Sequence, residues 1–298
     1  MSDRARWLLR LAVSAGVLAL VLGLVDVAEI VARLRRLEPQ WIIAAVALSV
    51  LQVAVSAWRW QFTARRLGIA LPLGRALGEY YLATFLNQVL PGGVTGDAAR
   101  AWRHGRATEN LGPAVRAVMI ERASGQLVML ATALLAVWWF PDVRAQLSPL
   151  WVGLGLAVTG VLVALLLLRR RPGMVTAFRA DLWQALLAPR ALPFQLLTSL
   201  LVVASYIGVF WLGARAIGAA GDPAVLLPLI PLVLLAMLIP LSISGWGFRE
   251  GAAALLWPLA GLPASEGVAV SLVYGGLVLL ASLPGALVLI LWPDGAAR

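Results

Sequence analysis

The chain is dominated by a succession of apolar runs, each about the length of a bilayer-crossing helix, separated by short segments in which every basic residue is arginine. A helix needs roughly 20 mostly apolar residues to cross the hydrocarbon core. Residues 7–25, 41–57, 118–140, 151–168, 192–212 and 267–292 meet that description. Composition agrees: 61% of residues are hydrophobic and 13% charged, against about 25% charged in soluble chains. We therefore expect an all-α polytopic membrane protein with six full spans, forming one transmembrane domain over 1–298.

Arginine clusters orient the spans through the positive-inside rule. Arg4 and Arg6 precede the first run, Arg59, Arg65, Arg66 and Arg75 follow the second, and Arg169 to Arg171 end the fourth. Six spans place both termini in the cytoplasm of a multi-pass membrane protein. Residues 27–37 depart from this scheme. Ile30, Leu34 and Leu37 repeat at helical spacing against Arg33, Arg35 and Arg36, which describes an amphipathic helix at the outer interface.

Residue types that are missing narrow the chemistry. The sequence has no lysine and no cysteine, and His104 is its only histidine. A Walker A lysine, a Schiff-base lysine, a thiol nucleophile and the two-histidine zinc motif are excluded. No cofactor is expected. The formal charge of +10 comes from arginines between apolar runs rather than from a basic soluble face, so nucleic acid is not an expected partner.

Two segments break the pattern. Residues 77–90 are apolar but short and run into Pro91-Gly92-Gly93, while residues 223–239 are expected to be broken by Pro228, Pro231 and Pro240. Both breaks read aliphatic-Pro-x4-Gly-x3-Arg, ending in Gly96…Arg100 and Gly245…Arg249. Corresponding Gly/Pro interruptions in two halves point to a transporter site built from discontinuous helices of an inverted repeat, with halves of approximately 1–140 and 141–298. The two segments are expected as re-entrant or broken hairpins; if each arm crosses fully, the count becomes eight spans.

Unwound backbone at membrane depth is tolerated only where it is buried in protein or lines a wet cavity. Helix starts after each break, capped by Thr95 or Asp97 and by Ser242 or Ser244, would present free N–H groups to an anion. Arg100 and Arg249 would add planar donors to the same anion; the alternative for each is an anchor at headgroup level. Asp97 and Glu250 are expected to neutralise these arginines or carry protons, with a helix cap the alternative for Asp97. Glu121 and Arg122 line the same cavity or sit at the interface. Asn87 faces the ligand or ties a helix end, Trp246 packs on a lipid chain or gates the pocket, and His104 lies in a solvated loop.

Three segments carry a resemblance: Asn87 to Arg100 (NQVLPGGVTGDAAR), Glu121 to Gly125 (ERASG) and Ser244 to Ala252 (SGWGFREGA). They resemble the flippase-like membrane family typified by the transmembrane domain of lysylphosphatidylglycerol synthases. That resemblance implies a domain that moves lipids, notably aminoacylated phosphatidylglycerol, between leaflets. No aminoacyl-transferase domain follows the last span, so synthesis is not expected of the chain itself. The expected partner is a membrane lipid with an anionic headgroup, with a lipid-synthesising enzyme as a further partner. A membrane-embedded enzyme or scaffold acting on lipid phosphates is the alternative.

Overall fold

The computed structural model describes residues 3–90, 93–139, 172–219, 221–238 and 243–291. Among them the chain is helical, without strands: α1 (Asp3–Leu24), α2 (Val27–Leu34), α3 (Pro39–Arg66), α4 (Leu73–Val89), α5 (Thr95–Ala107), α6 (Leu111–Trp139), α7 (Pro172–Leu182), α8 (Leu192–Ala216), α9 (Pro223–Leu235), α10 (Phe248–Leu259), α11 (Ala264–Ser282) and α12 (Pro284–Leu291). A π turn, Trp183–Leu187, follows α7, and a 3₁₀ turn, Ala236–Leu238, follows α9. Among the described residues, four segments are long and apolar enough to cross a membrane: 39–66, 111–138, 192–216 and 264–291. The count rises to five if α1 and α2, which meet at 100°, are taken together as one span. The span expected at 151–168 and the arginines at 169–171 lie outside the described residues.

Several boundaries differ from expectation. Helix α3 does not end at residue 57 but runs through Arg59 to Arg66, because the Arg59 guanidinium finds its counter-charge inside the bundle. Helix α6 begins at Leu111 rather than 118. Pro228 and Pro231 lie within a continuous α9; Pro240 is outside the described residues. Helix α2 turns 100° from α1, with Asp26 accepting from the Glu29 N–H at its start. Its apolar face is pinned by Ile30, which is buried, and the exposed leucines of the bundle, such as Leu127, Leu135, Leu197 and Leu255, meet an apolar solvent, as bilayer-facing side chains do.

The two broken segments enter from opposite ends of the bundle. The Glu38 N–H donates to the Ala216 carbonyl, 2.9 Å, so the start of α3 and the end of α8 share one end, where α9 begins. Helix α4 instead follows the far end of α3, which is 28 residues long, or about 42 Å at 1.5 Å per residue. His104, near the end of α5, lies 3.1 Å from the Ala70 carbonyl in the α3–α4 link. The α4–α5 hairpin thus starts and finishes at that far end. The α9–α10 hairpin leads on to α11, whose Glu266 pairs with Arg33 at the α2 end.

Candidate functional site

The tips of the hairpins meet. Ser244 Oγ, in the second break, donates to Gln88 Oε1, one residue before the end of α4, at 2.7 Å. Backbone conformation makes the second tip tight: Gly245 and Gly247 have φ of +80° and +88°, and Ser244 itself has φ +49°. A Cβ on Gly247 would lie 2.9 Å from the Ser14 carbonyl oxygen, so α1 packs directly on this turn. Ser14 also accepts from the Ile243 N–H, 2.9 Å.

In the first hairpin, Asn87 reaches across to α5. Its Oδ1 accepts from the Gly96 N–H at 2.8 Å, and its Nδ2 donates to Asp97 Oδ2 at 3.1 Å. Asn87 therefore satisfies a helix-start donor from a neighbouring helix, the task expected of Thr95 or Asp97. The α5 N-cap position is Val94, without a side-chain cap. The helices touch here backbone to backbone: a Cβ on Gly96 would sit 2.0 Å from the Ala83 carbonyl oxygen.

Arg100 is 1% exposed. Its Nε donates to Asp97 Oδ1 at 3.0 Å and its Nη2 to Glu121 Oε2 at 2.6 Å. The guanidinium carbon lies 4.6 Å from the Trp60 ring centre and 4.5 Å from that of Tyr80, two cation–π contacts of about 0.5–2 kcal/mol each. Its Nη1 is buried without a hydrogen-bond partner. Glu121, wholly buried, also receives Arg59 Nε and Nη2, while Arg59 Nη1 donates to Ser199 on α8 at 3.0 Å. Arg122 pairs with Asp97 at 2.8 Å and is the least enclosed member, its side chain 32% exposed. Among the described residues, three guanidiniums thus face two carboxylates.

The second break is balanced. Arg249, 1% exposed, donates from Nη2 to Glu250 Oε1 at 2.7 Å and from Nε to Ser271 Oγ at 2.8 Å. Ser271 donates in turn to the same carboxylate oxygen, 2.8 Å. Trp246 and Tyr274 each place a ring centre 5.1 Å from the guanidinium carbon. Gly275 makes room, since a Cβ there would come within 2.8 Å of Trp246. Glu250 Oε2 accepts from the Gly247 N–H at 2.7 Å, so the start of α10 is capped by Glu250 rather than by Ser244; Ser242 is outside the described residues.

The residues expected around one shared anion divide instead between two places: Arg100, Asp97, Asn87, Gly96, Glu121 and Arg122 at the first hairpin, and Arg249, Glu250, Gly245 and Trp246 at the second. Each arginine occupies its own cage of carboxylates and rings, and no hydrogen bond or ion pair joins Arg100 to Arg249 among the described residues. The expected free N–H groups of Gly96 and Gly247 are taken by side chains. Trp246 stacks on Arg249. His104 is buried rather than solvated, against Trp60 at 5.5 Å between ring centres. Arg59, Tyr80, Gln88, Ser199, Ser271 and Tyr274 were missed; only Arg59, a charge in an apolar stretch, carried a local signal.

A helical membrane bundle with two opposed hairpins and buried arginine clusters at their tips is the class that fold and site define. The sequence matches the family described as the lysylphosphatidylglycerol synthase TM region over residues 7–285. The chain belongs to that family. Comparison with curated proteins and with solved structures gives no match.

Proposed function

We propose that this chain is a lipid flippase that moves a phosphate-bearing phospholipid or glycolipid, an aminoacyl-phosphatidylglycerol-like lipid among them, between leaflets of a bacterial inner membrane. The observation that carries this is the excess of one guanidinium in the first cluster, together with the unpartnered Nη1 of buried Arg100. A buried charge without a counter-charge is costly, and charged groups inside membranes mark substrate pathways. An anion beside Arg100 and Arg122 cancels the excess and fills the vacant donor. Arg122 is the entry contact because it is the partly exposed member.

Desolvating the headgroup is the main barrier to spontaneous flipping, and a fixed set of donors lowers it. The acyl chains stay in the bilayer. Arg249, already matched by Glu250, is assigned a second contact that engages when the pair opens. Six spans and two re-entrant hairpins in an inverted repeat, with both termini cytoplasmic, provide two halves that rock about the junction of the hairpin tips. Moving one negative charge outward across an inside-negative potential of 100 mV gains about 2.3 kcal/mol.

Reconstitution into liposomes with a labelled anionic phospholipid tests this. Movement between leaflets with the lipid chemically unchanged supports the flippase; product formation without movement identifies an enzyme instead.

A further inference from the structure

A polar cavity lies away from both hairpin tips, at the end of the bundle where α2, the start of α3 and the end of α8 meet. Its volume is about 410 Å³, and Glu29, Arg33, Arg36, Glu38, Ile217 and Gly218 line it. That size falls within the roughly 300–1,000 Å³ of small-molecule sites. Helix α2 leaves α1 at 100°, so if α1 runs across the bilayer, α2 runs along its surface and the cavity sits at headgroup level.

Most of the polar groups here are already committed. Arg33 donates to Glu29 at 2.9 Å and pairs with Glu266 at 3.0 Å, and Glu29 also accepts from Ser265. Glu38 uses Oε2 to accept from Gln40 and Trp41 at 2.9 and 3.0 Å. Two groups facing the cavity remain unspent: the exposed Arg36 guanidinium, which makes no side-chain contact among the described residues, and Glu38 Oε1. Behind Arg33, the buried Glu266 keeps Oε1 without a partner, which leaves the carboxylate side of the cavity in excess.

A cavity at headgroup depth with one free donor cation and one free carboxylate oxygen suits a ligand carrying both charges. We infer that it binds the headgroup of an ammonium-bearing phospholipid, the phosphate toward Arg36 and the ammonium toward Glu38. Arg36 supplies paired planar donors for phosphate oxygens. This does not depend on the flippase assignment of Arg100 and Arg122, and its test reads binding rather than movement.

The probes are short-chain phosphatidylethanolamine, short-chain phosphatidylglycerol and free phosphoethanolamine, titrated into the purified full chain in detergent. Phosphatidylethanolamine is expected to bind at least tenfold more tightly than phosphatidylglycerol, and more tightly than free phosphoethanolamine. Arg36→Gln and Glu38→Gln should each weaken it by about tenfold, the loss of one charge-assisted hydrogen bond, with Arg36→Lys restoring part of the affinity. Both positions are exposed, so the variants should elute as the parent protein does. Equal affinity for the two phospholipids, or unchanged binding in both Gln variants, overturns the inference. Equal binding of free phosphoethanolamine overturns the assignment to a lipid.

Discussion

Ser244 donates a 2.7 Å hydrogen bond to Gln88, joining two hairpin tips that are 156 residues apart in sequence. Their hairpins enter from opposite ends of a bundle about as long as α3, so this contact lies where opposed helices meet within the protein. It is the one side-chain hydrogen bond between the two breaks among the described residues, and a rocking motion of the halves has to strain or break it.

Cross-linking across this contact should therefore arrest transport. The chain has no cysteine, so Gln88→Cys with Ser244→Cys introduces the only two thiols. A short thiol-reactive bifunctional reagent is expected to join them within one chain, seen as altered electrophoretic mobility after cleavage between the halves. Lipid movement should stop on cross-linking, while either single variant treated in the same way should keep its rate.

Glu121 is the keystone of the first cluster because it receives both Arg59 and Arg100. Glu121→Gln leaves three guanidiniums against Asp97 alone. Removing one partner of a buried ion pair costs about 3–5 kcal/mol, so this variant should unfold well below the parent temperature in detergent. Ser199→Ala removes the acceptor of Arg59 Nη1 and a long 3.4 Å bond to Ser124, leaves the Arg59–Glu121 pair in place, and should cost about 1 kcal/mol. Thermal melts of the two variants check the ranking; equal midpoints would remove Glu121 from that role.

Gly96 and Gly285, unlike Gly245 and Gly247, are required by packing rather than by backbone angle. Gly96→Ala would push a methyl to within 2.0 Å of the Ala83 carbonyl oxygen, and Gly285→Ala to within 2.2 Å of that of Tyr81. Each should destabilise by about 1–3 kcal/mol or more, the usual cost of forced overpacking. Gly16→Ala meets nothing within 4 Å and lies in α1, where alanine is the better helix former. It should melt at or slightly above the parent temperature.

How far the sequence could be read depended on whether the signal was local. Apolar length located α8 and the 264–291 span to within a few residues and α6 at its end but not its start, since span length is set by the bilayer. The rule that treats arginine as a span end failed at Arg59, where burial depends on Glu121, 62 residues later. Proline misled at Pro228 and Pro231, which α9 absorbs without ending. The Gly-x3-Arg spacing singled out Arg100 and Arg249, which the structure buries beside carboxylates in separate clusters, the first with one guanidinium in excess; spacing carries no information about that charge balance. His104 illustrates the same limit: its flanking arginines suggested solvent, whereas Trp60, distant in sequence, covers it.

The central claim is that the excess positive charge at the first hairpin carries the lipid phosphate, with Arg122 as its accessible arm. The most direct measurement is the leaflet-exchange rate of a labelled anionic phospholipid in proteoliposomes containing Arg122→Gln. Loss of one charge-assisted contact to the lipid, about 1.5–3 kcal/mol, predicts a rate at least about tenfold below that of the parent protein, in a variant that still folds because Asp97 keeps its bonds from Arg100 and Asn87. Exchange at the parental rate by the folded variant would contradict the claim.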